Sequence, residues 1–205
     1  MPMRNPPVKV MVSSTVHHYE YQLTQVEAIL RGYRYEVISS PAGTVPVQLG
    51  AHNFDACLRA VESCDVFLGI IRGAYGSGRA PGQPSITHLE IRHAIKLDKP
   101  RLFAIEQKVD TARQLLRPLL KDRSGNPIWG YADDVFKGNP IIDDLRVLEM
   151  YDEALLSGTP LMQRTNHWCQ PYRDDARLLE FIKAQFRDKA RLQADLAALR
   201  AGGIP

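Results

Sequence analysis

Short apolar runs alternate with amphipathic stretches along the first half of the chain. A short apolar run predicts a buried strand, and apolar residues spaced by three and four predict a helix. The predicted strands are Val8–Val12, Tyr35–Ile38, Asp65–Ile71 and Arg101–Ile105. The predicted helices are Tyr19–Arg31, one capped by Asn53 or Asp55, one beginning at Ser85 or Thr87, and one opening at Asp110. This alternation predicts an α/β fold, a parallel sheet covered by helices on both faces.

The pattern changes after residue 123. Residues Ser124–Pro171 form a stretch too long for an ordinary connection, so we expect short elements within it, including a helix at Val147–Leu156. From Asp174 to Leu199 the apolar residues predict one long helix, which either packs on its own domain or forms a dimer contact. We therefore divide the chain into an α/β domain at 1–123 and, at 124–205, an insertion and C-terminal helix packed on that domain.

Composition and charge narrow the classes of protein that the chain can represent. Of its 205 residues, 44% are hydrophobic and 24% are charged, as in ordinary globular domains. The net charge of +3, without a run of like charges, argues against a nucleic-acid partner. No apolar stretch reaches the ~18 residues of a membrane span, and the N-terminus lacks a signal-peptide apolar region. The 3 cysteines, an odd number, predict reduced thiols in a cytoplasmic protein.

Two polar turns follow predicted strands and should meet at one site. One turn is Ser13–Thr15, and the other, Arg72–Gly78, contains three glycines that allow a ligand to approach the backbone closely. Ligands of parallel sheets bind in the crevice at the carboxyl ends of the strands, where helix N-termini favour anionic groups such as phosphate. The candidate ligand-binding residues are Ser13, Ser14, Thr15, Arg72, Tyr75, Gly76, Ser77 and Ser85.

Glu90 is the carboxylate that the next helix brings to this site. If Thr87 is the N-cap of that helix, Glu90 completes a capping box by reaching back to a backbone N–H. If Ser85 is the N-cap, Glu90 lies one turn further along and is available to a ligand. The sequence leaves both alternatives open. The histidines and cysteines of the chain, among them the pair His17 and His18, do not have the spacing of zinc ligands, so we expect no metal.

Four blocks of sequence carry a resemblance to a known family. The blocks are Val10–Thr15, Asp65–Ser77, Ser85–Glu90 and Ala94–Pro100. In order and spacing they resemble a bacterial domain family of unknown function that is itself similar to TIR domains and to nucleoside 2-deoxyribosyltransferases. The resemblance implies a flavodoxin-like, TIR-like nucleotide-binding domain with a pocket at the carboxyl ends of its strands. His88 and Ile91 stand where it leads us to expect a glutamate and an aromatic residue.

The resemblance also implies a function for Glu90. A glutamate on the corresponding helix of enzymatic TIR domains acts in cleaving the nicotinamide–ribose bond of NAD, and in the deoxyribosyltransferases a comparable glutamate attacks the sugar carbon. Glu90 is the position that would take either role. The implied function is cleavage of the N-glycosidic bond of NAD or a related nucleotide, with no further cofactor, in antiphage defence or signalling and with self-association.

Two other functions stay open. One is a non-catalytic nucleotide-sensing or assembly module, which would bind a nucleotide, or none, without turnover. The other, weaker alternative is a deoxyribosyltransferase, which would need a further carboxylate near the site to orient the sugar hydroxyls. Asp65 lies too far back along its strand to supply that carboxylate.

Overall fold

Strands and helices alternate along the chain, as the apolar pattern predicts. The computed structural model describes residues 6–46, 50, 52–78, 80, 82–125 and 136–202. The strands are β1 (Lys9–Ser14), β2 (Glu36–Ile38), β3 (Val66–Ile71), β4 (Arg101–Glu106) and β5 (His167–Tyr172). The α-helices are α1 (Glu20–Gly32), α2 (Asn53–Ser63), α3 (Ile86–Lys96), α4 (Gln107–Leu116), α5 (Arg146–Ala154), α6 (Asp175–Phe186) and α7 (Lys189–Arg200).

The five strands form one parallel sheet in the order β2-β1-β3-β4-β5. This is the flavodoxin-like order, in which the chain reverses its direction of winding between β1 and β3. Successive side chains point to opposite faces of the sheet. Met11 and Phe67 pack in a cluster with α2, α3, α4 and α5, whereas Val10 and Leu68 pack in a second cluster with α1 and α6. The predicted α/β fold class is therefore confirmed.

Several predicted boundaries differ from the structure. The helix predicted to open at Asp110 is α4, which begins at Gln107. β1 continues through Ser14, so Ser13 and Ser14 belong to the end of the strand and not to the turn after it. The cap of α2 is His52, whose Nδ1 accepts a hydrogen bond from the backbone N–H of Phe54 at 3.2 Å, and not Asn53 or Asp55. An aspartate or asparagine is the commoner cap, and for that reason the sequence pattern pointed one residue or more too far.

The stretch after residue 123 contains a strand that the sequence did not reveal. β5 lies at the edge of the sheet and pairs with β4 in the register Leu102 with Trp168. Its alternate residues are partly exposed, Trp168 to 55%, so it has no continuous apolar run. The predicted helix at Val147–Leu156 is confirmed as α5, shifted by one or two residues. Residues 126–135 of the stretch lie outside the described ranges.

The predicted long C-terminal helix is two shorter helices. The break falls at Arg187 and Asp188, where the Asp188 side chain accepts a hydrogen bond from the backbone N–H of Arg191 and caps α7. Buried residues of α6, including Phe186, belong to the same apolar cluster as α1. A Tyr35 hydroxyl donates to the backbone oxygen of Phe186 at 2.9 Å, so α6 is held against the sheet. Across the described ranges, no helix is long and apolar enough to cross a membrane.

Gly69 in the centre of β3 is a position where an added methyl group has no room. A Cβ at Gly69 would lie 2.6 Å from the ring of Phe103, which is itself fully buried. We expect Gly69→Ala to lower the free energy of unfolding by about 1–3 kcal/mol through overpacking. Gly32→Ala is the matched control, because a Cβ there meets no atom within 4 Å. Chemical denaturation of both variants measures the difference, and equal stabilities would show that the β3–β4 packing is looser than described.

Candidate functional site

A cavity of about 320 Å³ opens at the carboxyl end of the sheet, beside the point where β1 and β3 diverge. This is the switch point at which open parallel sheets bind their ligands. The end of β1, the turn after β3, α2 and α3 all contribute to its wall. Its lining residues include Ser13, Ser14, Thr15, Val16, His17, Leu23, Ser40, Pro41, Val45, Phe54, Cys57, Gly76, Ser77, Gly78, Ile86, Thr87 and Glu90.

Glu90 faces this cavity because α3 begins at Ile86. Ser85 is the N-cap, and its hydroxyl oxygen accepts a hydrogen bond from the backbone N–H of His88 at 3.3 Å. Glu90 therefore lies in the second turn of α3, too far along to cap the helix. Its carboxylate instead accepts a hydrogen bond from the hydroxyl of Ser13 at 2.5 Å. Of the two alternatives left by the sequence, the structure forms the Ser85 cap, and the capping box of Thr87 is absent.

The carboxyl group of Glu90 is held in surroundings that disfavour its charge. The residue is 6% exposed, and burial raises the pKa of its carboxyl to about 7, against the opposing effect of hydrogen bonds from Ser13 and Cys57. Within the described part of the chain, no lysine or arginine lines the cavity. A carboxyl group with this pKa exchanges its proton near neutral pH, which is a property suited to acid–base or nucleophilic chemistry.

Cys57 on α2 is a neighbour of Glu90 that the sequence did not single out. Burial and the nearby Glu90 carboxylate raise the pKa of the Cys57 thiol to about 12. The group is therefore a thiol at neutral pH, and it hydrogen-bonds to Glu90 as a donor. Its contribution depends on how α2 docks against α3, which no local sequence pattern shows. The one sequence feature that could have indicated Cys57 is its position one turn after Phe54 on a predicted helix.

Thr15 presents a polar atom to this region that the protein itself does not satisfy. Thr15 is buried, and its Oγ1 has no hydrogen-bond partner among the described residues. Gly76 adopts a left-handed conformation (φ +83°) directly beside it, and a Cβ at Gly76 would lie 3.1 Å from that oxygen. Buried hydroxyl groups in folded proteins normally have a partner. The Thr15 hydroxyl is thus a buried polar group beside the cavity for which no partner lies among the described residues.

Six of the residues singled out from the sequence line the cavity together. They are Ser13, Ser14, Thr15, Gly76, Ser77 and Glu90. Arg72, Tyr75 and Ser85 do not belong to its lining. Ser85 is fully buried as the cap of α3. The other two are directed away by the alternation of side chains along β3 and by the turn that follows it.

Arg72 continues the side of β3 that faces α1. Its guanidinium lies over the ring of Tyr19, 3.7 Å from the ring centre, and donates weakly to the backbone oxygen of His17 at 3.5 Å. Tyr75 turns to the other side and is 3% exposed, with its hydroxyl 2.7 Å from Nδ1 of His88. Neither side chain reaches Glu90. In the described ranges, no group of three histidine, cysteine or acidic residues is placed to hold a metal ion.

Comparison with known proteins places the chain in a family. A solved structure of a Clostridium botulinum CMP N-glycosidase, BcmB, is similar with a TM-score of 0.44 and 12% identity, over 86% of this chain and 98% of the other. Among curated proteins, none matches the sequence. Residues 9–198 match the family described as "Domain of unknown function (DUF4062)". The chain therefore belongs to this family, and the matched region runs well beyond the four blocks noted in the first half of the sequence.

The raised pKa of Glu90 predicts a dependence of stability on pH. Between the ordinary pKa of 4.5 and about 7, the folded protein holds a proton that the unfolded chain has lost. The free energy of unfolding therefore falls as the pH rises through this window, by up to about 3 kcal/mol. We expect Glu90→Gln, which cannot ionise, to gain stability relative to the unmodified protein over the same window. Urea denaturation at several pH values measures this gain, and a difference that is constant with pH would contradict it.

Proposed function

We propose that this member of the DUF4062 family cleaves the N-glycosidic bond of NAD or a related nucleotide, with Glu90 as the catalytic carboxylate. The observation that carries the proposal is the placement of Glu90. Its buried carboxyl faces a cavity at the β1/β3 switch point, is oriented by Ser13 and has a pKa raised to about 7. The four sequence blocks resemble a family that is itself similar to TIR domains, and this similarity supports NAD as the nucleotide.

The proposed reaction breaks the bond between ribose C1′ and the ring nitrogen of nicotinamide. The bonding electron pair leaves with the nitrogen, so the cationic ring departs as neutral nicotinamide. The positive charge then develops on the ribose as an oxocarbenium-like centre, which the ionised Glu90 carboxylate stabilises or bonds. Water adds to C1′ and loses a proton, and the products are nicotinamide, ADP-ribose and that proton. A carboxylate with no described cation beside it suits a positively charged substrate.

The remaining polar groups of the cavity are proposed to hold the sugar. Ser14, Thr15, Gly76 and Ser77 line the same cavity as Glu90. The volume of about 320 Å³ lies at the small end of the range for ligand sites, so we place the nicotinamide riboside half inside. The adenosine half would then extend past the exposed His17 at the mouth.

The proposal includes self-association and a role in antiphage defence or signalling. The resemblance to TIR domains is the support for both. α7 is a helix that buries one residue, Leu196, against the rest of the chain. Leu192 is partly buried in the same cluster, and the exposed face with Ala194, Asp195 and Ala197 is the proposed contact with a second copy.

Replacement of Glu90 tests the proposed reaction. Glu90→Gln preserves the size of the side chain and an acceptor for Ser13 but removes the negative charge that stabilises the sugar cation. We expect the rate of nicotinamide release from NAD to fall by at least about a hundredfold. The assay uses a high protein concentration, and chromatography measures the free nicotinamide.

Glu27→Gln is the matched control for that experiment. Glu27 is also buried and also accepts a hydrogen bond from a serine, Ser39 Oγ to Glu27 Oε1 at 2.6 Å, but it does not line the cavity. We expect its turnover to match that of the unmodified protein. Unchanged activity in a folded Glu90→Gln protein would refute the catalytic role. Nucleotide binding without product would favour the non-catalytic sensing or assembly module.

The pKa of Glu90 also predicts how the reaction depends on pH. The ionised carboxylate is the active form, so kcat/KM should rise about tenfold per pH unit below the pKa of about 7 and level off above it. The nicotinamide leaving group needs no protonation, which removes the need for an acid. A kcat/KM for NAD that falls as the pH rises through 7 would contradict the ionised Glu90 carboxylate as the active form.

A further inference from the structure

A chain of buried and half-buried polar side chains runs behind the cavity, from the turn after β3 to α5. The Tyr75 hydroxyl and Nδ1 of His88 are 2.7 Å apart, and Nε2 of His88 is 3.2 Å from the carboxylate of Glu153. The Glu153 carboxylate is in turn gripped by the guanidinium of Arg92, with Arg92 Nε to Glu153 Oε2 at 2.8 Å. His88 is 1% exposed, so both of its ring nitrogens are satisfied by protein groups alone.

The Glu153 carboxylate fixes the direction of its own hydrogen bonds. Although burial raises the pKa of Glu153, its hydrogen bonds from His88 and Arg92 bring it down to about 2, so the group is a carboxylate. A carboxylate only accepts, so Nε2 of His88 carries the proton that it donates to Glu153. Nδ1 of His88 and the Tyr75 hydroxyl share the next hydrogen bond, at 2.7 Å. The chain of hydrogen bonds is therefore continuous from Tyr75 to Glu153.

Tyr75 and His88 lie outside the cavity, but each is a direct sequence neighbour of residues that line it. Tyr75 immediately precedes the segment Gly76–Gly78, which we call the glycine loop, and all three of its residues line the cavity. His88 follows Thr87, also a lining residue, and lies two positions before Glu90 on α3. The hydrogen bond between Tyr75 and His88 therefore joins the start of the glycine loop to the helix that carries Glu90, in addition to the backbone hydrogen bond from the Ile86 N–H to the Ser77 oxygen at 3.1 Å.

The segment before α5 holds the same turn by its backbone. The Tyr75 N–H donates to Asp143 Oδ1 at 2.8 Å, and the Asp143 N–H donates to the Gly73 oxygen at 2.9 Å. The two backbones are in such close contact that a Cβ at Gly73 would collide with the carbonyl of Ile141. The guanidinium of Arg146 lies over the ring of Tyr75, 4.6 Å from its centre. Residues 141–154 thus contact the turn immediately before the glycine loop and hold it in place.

We propose that Tyr75 and His88 are positioning residues, which hold the glycine loop at a fixed distance from Glu90 by tying it to α5 through Glu153. The structural part of this proposal, that the pair restrains the loop, is independent of the reaction. The catalytic part rests on the proposed function: a glycine loop that shifts by a fraction of an ångström misplaces the sugar relative to the carboxylate, and such errors lower turnover steeply. Neither residue touches the cavity itself.

Tyr75→Phe and Tyr151→Phe form a matched pair for the test. Both tyrosines are 3% exposed in the same apolar cluster, and each hydroxyl makes a buried hydrogen bond, Tyr151 to Asp110 Oδ1 at 2.8 Å. Each variant loses one hydroxyl and keeps its ring, so the general cost of the lost hydrogen bond is similar in both. Only Tyr75 is connected to the glycine loop.

The measurement combines hydrogen exchange with kinetics on the full chain. We expect the Ile86 amide, which donates to the Ser77 oxygen of the glycine loop at 3.1 Å, to exchange about fivefold faster in Tyr75→Phe, as one lost hydrogen bond allows, and to be unchanged in Tyr151→Phe. With NAD as substrate we expect kcat to fall at least about tenfold in Tyr75→Phe, with KM changed less than kcat. A His88→Phe variant, which cuts the chain at its next member, should show both effects.

The outcomes separate the two proposals. Equal exchange of the Ile86 amide in the two tyrosine variants overturns the restraint of the loop, whatever the activity. Faster exchange with unchanged kcat overturns the positioning role while keeping the restraint. If the unmodified protein releases no nicotinamide, the proposed function fails, and the exchange comparison alone still decides whether Tyr75 and His88 hold the glycine loop.

Discussion

The position of Glu90 depends on one constraint, which is that β1 lies between β2 and β3. The chain winds outward from β1 to β2 and then crosses back to the other side of β1 for β3. The connections that follow β1 and β3 leave the carboxyl ends of these strands in opposite directions, so a crevice remains between the two ends. Ser13 pairs with Gly69 at that end of the sheet, and the absence of a side chain on Gly69 leaves room for Phe103 below it. The hydrogen bond between the Ser13 hydroxyl and Glu90 of α3 therefore lies above the close packing of Gly69 and Phe103.

The burial of Glu90 opposes the stability of the fold at neutral pH. An ionised carboxyl in this cavity loses the solvation that it has in the unfolded chain, and two donors, Ser13 and Cys57, compensate only in part, since the pKa stays at about 7. A side chain that served packing alone would be better replaced by an apolar one of the same size. The cost is typical of a functional position, where local destabilisation is maintained by the surrounding structure.

The sequence allowed the strands β1 to β4, the first four helices and the meeting of Ser13 and Glu90 at one crevice to be predicted. These features depend on local periodicity and on the general geometry of parallel sheets. The sequence did not reveal β5, because a half-exposed edge strand has no apolar run of its own and is defined only by pairing with β4. It also did not show that Arg72 and Tyr75 turn away from the cavity. Within a turn, side-chain direction depends on backbone angles and on tertiary partners such as Tyr19 and His88.

Those two tertiary partners anchor the turn after β3, which is rich in glycine. Glycine gives the backbone freedom that must be removed if the turn is to present a fixed surface to a ligand. Arg72 stacks on Tyr19 at one end of the turn, and Tyr75 in its middle is hydrogen-bonded to His88 and to the side-chain carboxylate of Asp143. Gly76, with φ +83°, then follows from an anchored residue. The segment 141–154, outside the first four strands, thus supports a turn that contributes to the cavity wall, and a chain ending at residue 123 would lack these partners.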